Sequence, residues 1–90
     1  MDITRCLTIS ISHISDRTSQ MLAAESNTNR MGLSVYTKGD YGYWIYTGSV
    51  YGDAPDDLMG CINLAIKNEC EWLCLDSDGE EAEDLPTYEW

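Results

Sequence analysis

Ninety residues with 43% hydrophobic side chains, six Tyr and three Trp suffice for one small domain with its own core, and exclude both a two-domain chain and a fully disordered acidic tail. Sixteen acidic against five basic residues give a net charge of −11, which excludes unassisted binding to nucleic acid or to an anionic membrane surface and makes any charged partner basic. No apolar run reaches the roughly 20 residues of a membrane span, and the start lacks a basic segment leading into a long apolar one. An intracellular, cytoplasmic protein is therefore expected, with Cys6, Cys61, Cys70 and Cys74 as reduced core thiols.

Residues 4–11 alternate polar and apolar, with Leu7, Ile9 and Ile11 on one side, which is the period of a half-buried strand. Ser15 stands where an N-cap belongs, and Met21, Leu22, Ala23 and Ala24 follow among good helix formers, so a helix is predicted over 16–26. Asn27, Thr28, Asn29 and Gly32 end it, and 33–36 reads as a second strand. A short Gly-containing loop over 37–42 leads into Tyr43, Trp44, Ile45, Tyr46 and Thr47, whose aromatic and β-branched makeup predicts a third strand, paired with the second as an antiparallel hairpin. After a connection over 48–52, Asp53, Ala54, Pro55 and Asp56 form a helix start, with a capping acid, Pro in the first turn and acids at the positive end of the helix dipole. Leu58, Cys61, Ile62, Ala65 and Ile66 then recur at helical spacing as far as Asn68. The apolar run over 72–75 is a fourth strand, closed by a turn at Asp76, Ser77, Asp78 and Gly79, and an acidic tail over 80–90 follows. The order β-α-β-β-α-β predicts a ferredoxin-like α+β sandwich, one antiparallel four-stranded sheet with both helices on one face, and residues 1–90 as a single domain.

Catalytic and metal chemistry find little footing. His13 is the one imidazole, and no Cys stands in a nucleophile context beside it; it reads as a turn histidine at the end of the first strand. Cys70 and Cys74 have three residues between them rather than two and straddle a helix end and a strand, so apolar packing is the expected role, not zinc. The stretch Asp76, Ser77, Asp78, Gly79 has its Gly two places too early for a calcium loop and reads as a plain turn. No phosphate-loop, dinucleotide or zinc-protease motif occurs, so no catalytic residue, cofactor or metal is expected.

The charge is unevenly distributed. Residues 1–52 hold four acids and four bases, whereas residues 53–90 hold twelve acids against Lys67, so the last 38 residues carry the whole −11. Crowding like charges costs self-repulsion, and such a half is either a solubility device or a surface built to meet positive charge. Read as a surface, its candidate partner-binding residues are Asp53, Asp56, Asp57, Asp76, Asp78, Glu80, Glu81, Glu83 and Asp84, placed to occupy the Lys and Arg track that another protein uses for nucleic acid. A second candidate surface is aromatic. Tyr36, Trp44 and Tyr46 share a side of the predicted hairpin opposite Val35 and Ile45, and form a possible interface for another protein or for a second copy in a homodimer, with residues 85–90 in reach to fold back over it. Stacking on RNA bases would need cationic backbone contacts that a net −11 does not supply.

Four segments carry a resemblance to a known group of proteins: Leu7-Thr8-Ile9-Ser10 with His13-Ile14; Tyr36-x-Lys38-Gly39-Asp40-Tyr41-Gly42-Tyr43-Trp44-Ile45-Tyr46; Glu71-Trp72-Leu73-Cys74-Leu75-Asp76-x-Asp78-Gly79; and Leu85-Pro86-Thr87-Tyr88-x-Trp90. The chain resembles an uncharacterised family of small acidic proteins encoded on bacterial plasmids, integrative elements and prophages, and departs from it at Glu80-Glu81-Ala82-Glu83, where that family is apolar. The resemblance brings no catalytic residues. It implies a setting in which small acidic proteins disarm host defence, as anti-CRISPR or anti-restriction inhibitors, some by imitating the charge of DNA. Together these readings predict a non-enzymatic inhibitor of a basic nucleic-acid-handling complex, with an aromatic interaction or dimerisation module as the alternative.

Overall fold

Leu73, Cys74 and Leu75 are fully buried in succession, the mark of an interior strand, while Trp72 and Asp76 at its ends are half-buried. In the computed structural model, which describes residues 5–28, 34–39, 42–49 and 54–89 and all their side chains except those of 25–28 and 49, this strand lies inside a four-stranded sheet. The strands are β1 (Cys6–Ser10), β2 (Val35–Thr37), β3 (Gly42–Tyr46) and β4 (Trp72–Asp76), in the order β1-β4-β3-β2. The helices are α1 (Asp16–Thr28) and α2 (Asp56–Lys67), and 3₁₀ turns occupy Ile11–His13 and Thr47–Ser49.

The α+β class, the element order and the β2–β3 hairpin are as the sequence predicts, and the arrangement is consistent with a ferredoxin-like sandwich of unusual strand order. One expectation needs correcting: the sheet is mixed. β1 lies at the edge and runs parallel to β4, with Leu7 opposite Leu73 and Ile9 opposite Leu75, while β3 pairs β4 antiparallel. The apolar run of β4 takes an interior position, and the half-polar β1 is left at the edge. Gly42 is fixed by the same packing, since a Cβ there would fall on the backbone carbonyl of Leu75.

One sheet face carries Ile9, Val35, Ile45, Leu73 and Leu75, which form a single core with Leu22 of α1 and Leu58, Cys61, Ile62 and Ala65 of α2. Both helices therefore lie on one side, and each fully buried aliphatic side chain contributes about 1.5–3 kcal/mol through burial. Ser15 caps α1 as predicted, its hydroxyl accepting from the Thr18 amide at 3.2 Å. α2 starts differently from the prediction: Pro55 occupies the cap position with no side-chain hydrogen bond, and the proposed capping acid Asp53 lies outside the described residues. Cys61, Cys70 and Cys74 are buried free thiols, but Cys6, expected in the core, is exposed because it faces away from the helices on the edge strand. No helix among the described residues is long and apolar enough to cross a membrane.

Candidate functional site

Parallel pairing of β1 with β4 puts the two strand ends, Ser10 and Asp76, side by side at one end of the sheet. The start of α2 comes to the same end through Asp57. Its carboxylate accepts from the Ser15 amide at 2.8 Å, from the Thr18 hydroxyl at 2.7 and 2.9 Å, and from its neighbour Leu58 N–H at 3.0 Å. Burial opposes ionisation of Asp57, yet these hydrogen bonds together outweigh it and hold the carboxyl below its ordinary value.

The tail is drawn to this end as well. After the Asp-Gly turn, where Asp76 accepts from the Asp78 amide at 2.9 Å, Glu80 C=O accepts from Ser10 N–H at 2.9 Å and Ser12 C=O accepts from Tyr88 N–H at 2.8 Å. Gly79 makes the approach possible, because a Cβ would stand 2.5 Å from the Ile9 carbonyl carbon and oxygen. Between these contacts sits His13, fully buried. Its Nε2 accepts from Ala82 N–H at 2.8 Å, so in the neutral ring the proton is on Nδ1, which donates to Pro86 C=O at 2.8 Å. The lone imidazole is thus no simple turn residue. It pins both ends of the loop bearing Glu83 and Asp84, and Cys61 bonds its carbonyl rather than its ring.

Of the nine acids nominated from sequence, Asp56, Asp78, Glu80, Glu81, Glu83 and Asp84 are exposed on the elements converging around residues 10–18. Asp57 and Asp76 belong to the framework instead. Asp57 ties the starts of the two helices together, and Asp76 receives the Lys38 ammonium at 2.6 Å. That ion pair, with the Asp78 amide behind it, lowers the Asp76 carboxyl and raises Lys38. Asp53 lies outside the described residues. Arg17 lines a hollow of about 480 Å³ here together with Met21, Asp56 and Tyr88. Arg17 near the start of α1 and the ion-paired Lys38 after β2 are cations at this end, while Lys67 stands at the opposite end of α2.

The sheet face away from the helices holds the three nominated aromatics, Tyr36, Trp44 and Tyr46. Trp72 of β4 joins them, with ring centroids 6.1 Å from Tyr36 and 5.3 Å from Tyr46, and the Lys38 ammonium lies 5.1 Å from the Trp44 ring centre. Sequence reasoning missed Trp72 as a member of this face. The period-2 alternation of Trp72, Cys74 and Asp76 against Leu73 and Leu75 signals its side, but only the β3–β4 pairing brings it to the others. Among the described residues the tail lies on the other side of the sheet: Leu85 packs against the core beside Gly60 of α2, on the helix side.

Among the described residues no group of three or more His, Cys, Asp or Glu is placed to hold a metal ion. The family model described as the C-terminal domain of a family of unknown function, DUF5983, matches residues 6–90, and the chain belongs to that family. No curated protein and no solved structure matches it.

Proposed function

We propose that this family member is a non-enzymatic inhibitor of a bacterial defence complex that handles nucleic acid, an anti-CRISPR protein in the first place and an anti-restriction protein in the second. In this reading the chain is encoded on a mobile element, acts in the cytoplasm of the bacterial host, and lays its acidic end into the basic surface where the effector would hold DNA. One observation carries the reading: six exposed carboxylates come to one end of the sheet, Asp56 on the start of α2, Asp78 in the turn after β4, and Glu80, Glu81, Glu83 and Asp84 on the docked tail. Duplex DNA offers about one negative charge per 1.7 Å of axis, and a protein surface competing with it needs carboxylates in close array.

In cells armed with an active CRISPR system against a test phage, expression of the chain should restore plaque formation. A variant with Asp78, Glu80, Glu83 and Asp84 changed to Ser should fail to do so while keeping its circular dichroism spectrum. Equal protection by the two proteins would refute mimicry. A second reading, an interaction or dimerisation module on the aromatic face, is favoured by the 59% exposure of Tyr36. Salt separates the two, since exposed charges are screened beyond about 8 Å at physiological ionic strength whereas an aromatic contact is not.

A further inference from the structure

On the open sheet face, Cys6, Tyr36, Trp44 and Trp72 line a hollow of about 470 Å³. We propose that this hollow seats an arginine side chain of the basic partner, giving the chain a second contact separate from its acidic end. The inference rests on the preceding reading only in taking the partner to be basic.

Three features select the occupant. The first is charge: the π faces of the rings attract cations, and the molecule carrying them has a net charge of −11, so a cationic side chain is favoured both locally and at long range. The second is a cation already in place, because Lys38 lies 5.1 Å from the Trp44 ring centre while its ammonium is held at 2.6 Å by Asp76. The neighbouring ring, Trp72, has Tyr36 and Tyr46 against it at tilts of 48° and 56°, both from the β3–β2 side, and Cys6 of β1 across from it on the other. The third is the shape and hydration of the ligand. A planar guanidinium is weakly hydrated and stacks on rings, whereas an ammonium holds its water and gains less from an apolar wall. A second copy of this chain is the rival occupant, and bringing two molecules of charge −11 together works against it.

The test uses capped octapeptides alternating Arg with Gly or Lys with Gly, titrated into the whole chain by calorimetry at two salt concentrations. The Arg peptide should bind more tightly than the Lys peptide. Tyr36→Ala, at an exposed position with little burden on the fold, and Trp72→Leu, which keeps an apolar strand residue, should each weaken the Arg peptide by about three- to tenfold and leave its salt dependence unchanged. Reversal of Glu80, Glu83 and Asp84 to Lys should do the opposite, flattening the salt dependence while preserving the preference for Arg. Equal binding of Arg and Lys peptides, or no effect of Tyr36→Ala and Trp72→Leu, overturns the arginine seat even if the acidic variant loses affinity. A sedimenting dimer abolished by Trp72→Leu also overturns it, in favour of the second copy. Retained salt dependence in the acid-reversed variant sinks the mimicry reading instead and leaves the arginine seat standing.

Discussion

His13→Ala removes the fastener of the acidic tail without changing any carboxylate. The ring is fully buried and joins Ala82 N–H and Pro86 C=O, 69 and 73 residues away in the chain, at 2.8 Å each. Truncation leaves a donor and an acceptor without partners, at about 1–3 kcal/mol each when water cannot replace the ring. Both contacts are only partly buried, so the lower half of the combined range applies, about 2–4 kcal/mol. For a chain of this size 1 kcal/mol moves the melting temperature by about 4–8 °C, so a cost near the middle of the range lowers Tm by roughly 12–24 °C. Thermal melts give the total loss, and amide exchange locates it: the Ala82 amide should lose protection first, ahead of the amides of β4. Inhibition or binding through the acidic end should fall although the net charge is unaltered. A Tm within about 3 °C of wild type together with a still-protected Ala82 amide would refute the latch.

Asp57→Asn should cost about 1–2 kcal/mol at neutral pH by weakening the bonds from Ser15 and Thr18. Because the folded carboxyl lies below its ordinary value of 3.8, its stabilisation is complete above that pH and is lost as pH falls through the lower folded value. Urea midpoints of wild type and variant should therefore draw together progressively as pH falls below 3.8; a gap that stays constant down to about pH 2 contradicts the assignment. Gly79→Ala should destabilise by about 1–3 kcal/mol, since its Cβ meets the backbone of Ile9 rather than a movable side chain, and unchanged urea unfolding would exclude the close approach. Iodoacetamide at pH 8 should modify Cys6 alone in the native protein and all four thiols in urea, with Cys61 further protected because burial and nearby Asp57 push its thiol up to about 12. Native labelling of Cys61 would contradict the core.

Local signals were legible in the sequence and long-range ones were not. The alternation of Leu7 and Ile9, the spacing of Leu58, Cys61, Ile62 and Ala65, and the Ser15 cap each depend on a few neighbouring residues, and each stands in the structure where it was expected. Strand order depends on competition between segments far apart. The apolar run of Leu73, Cys74 and Leu75 hinted at an interior strand, and these residues are buried in succession, but no local signal names the strands that flank it. The charged half was visible from composition, but not which carboxylates are free. Asp57 and Asp76 find donors 42 and 38 residues away, in Ser15 and Lys38, and no spacing rule announces such partners. His13 likewise read as a turn residue because the atoms it holds, in Ala82 and Pro86, lie at the other end of the chain.

The central claim is that the grouped carboxylates of the tail compete with DNA for a basic groove, and displacement measures this directly. A fluorescent duplex bound to a purified CRISPR effector complex should be released by the wild-type chain, less effectively as salt is raised. The variant with Asp78, Glu80, Glu83 and Asp84 reversed to Lys should leave the duplex bound, and equal release by that variant would contradict the account.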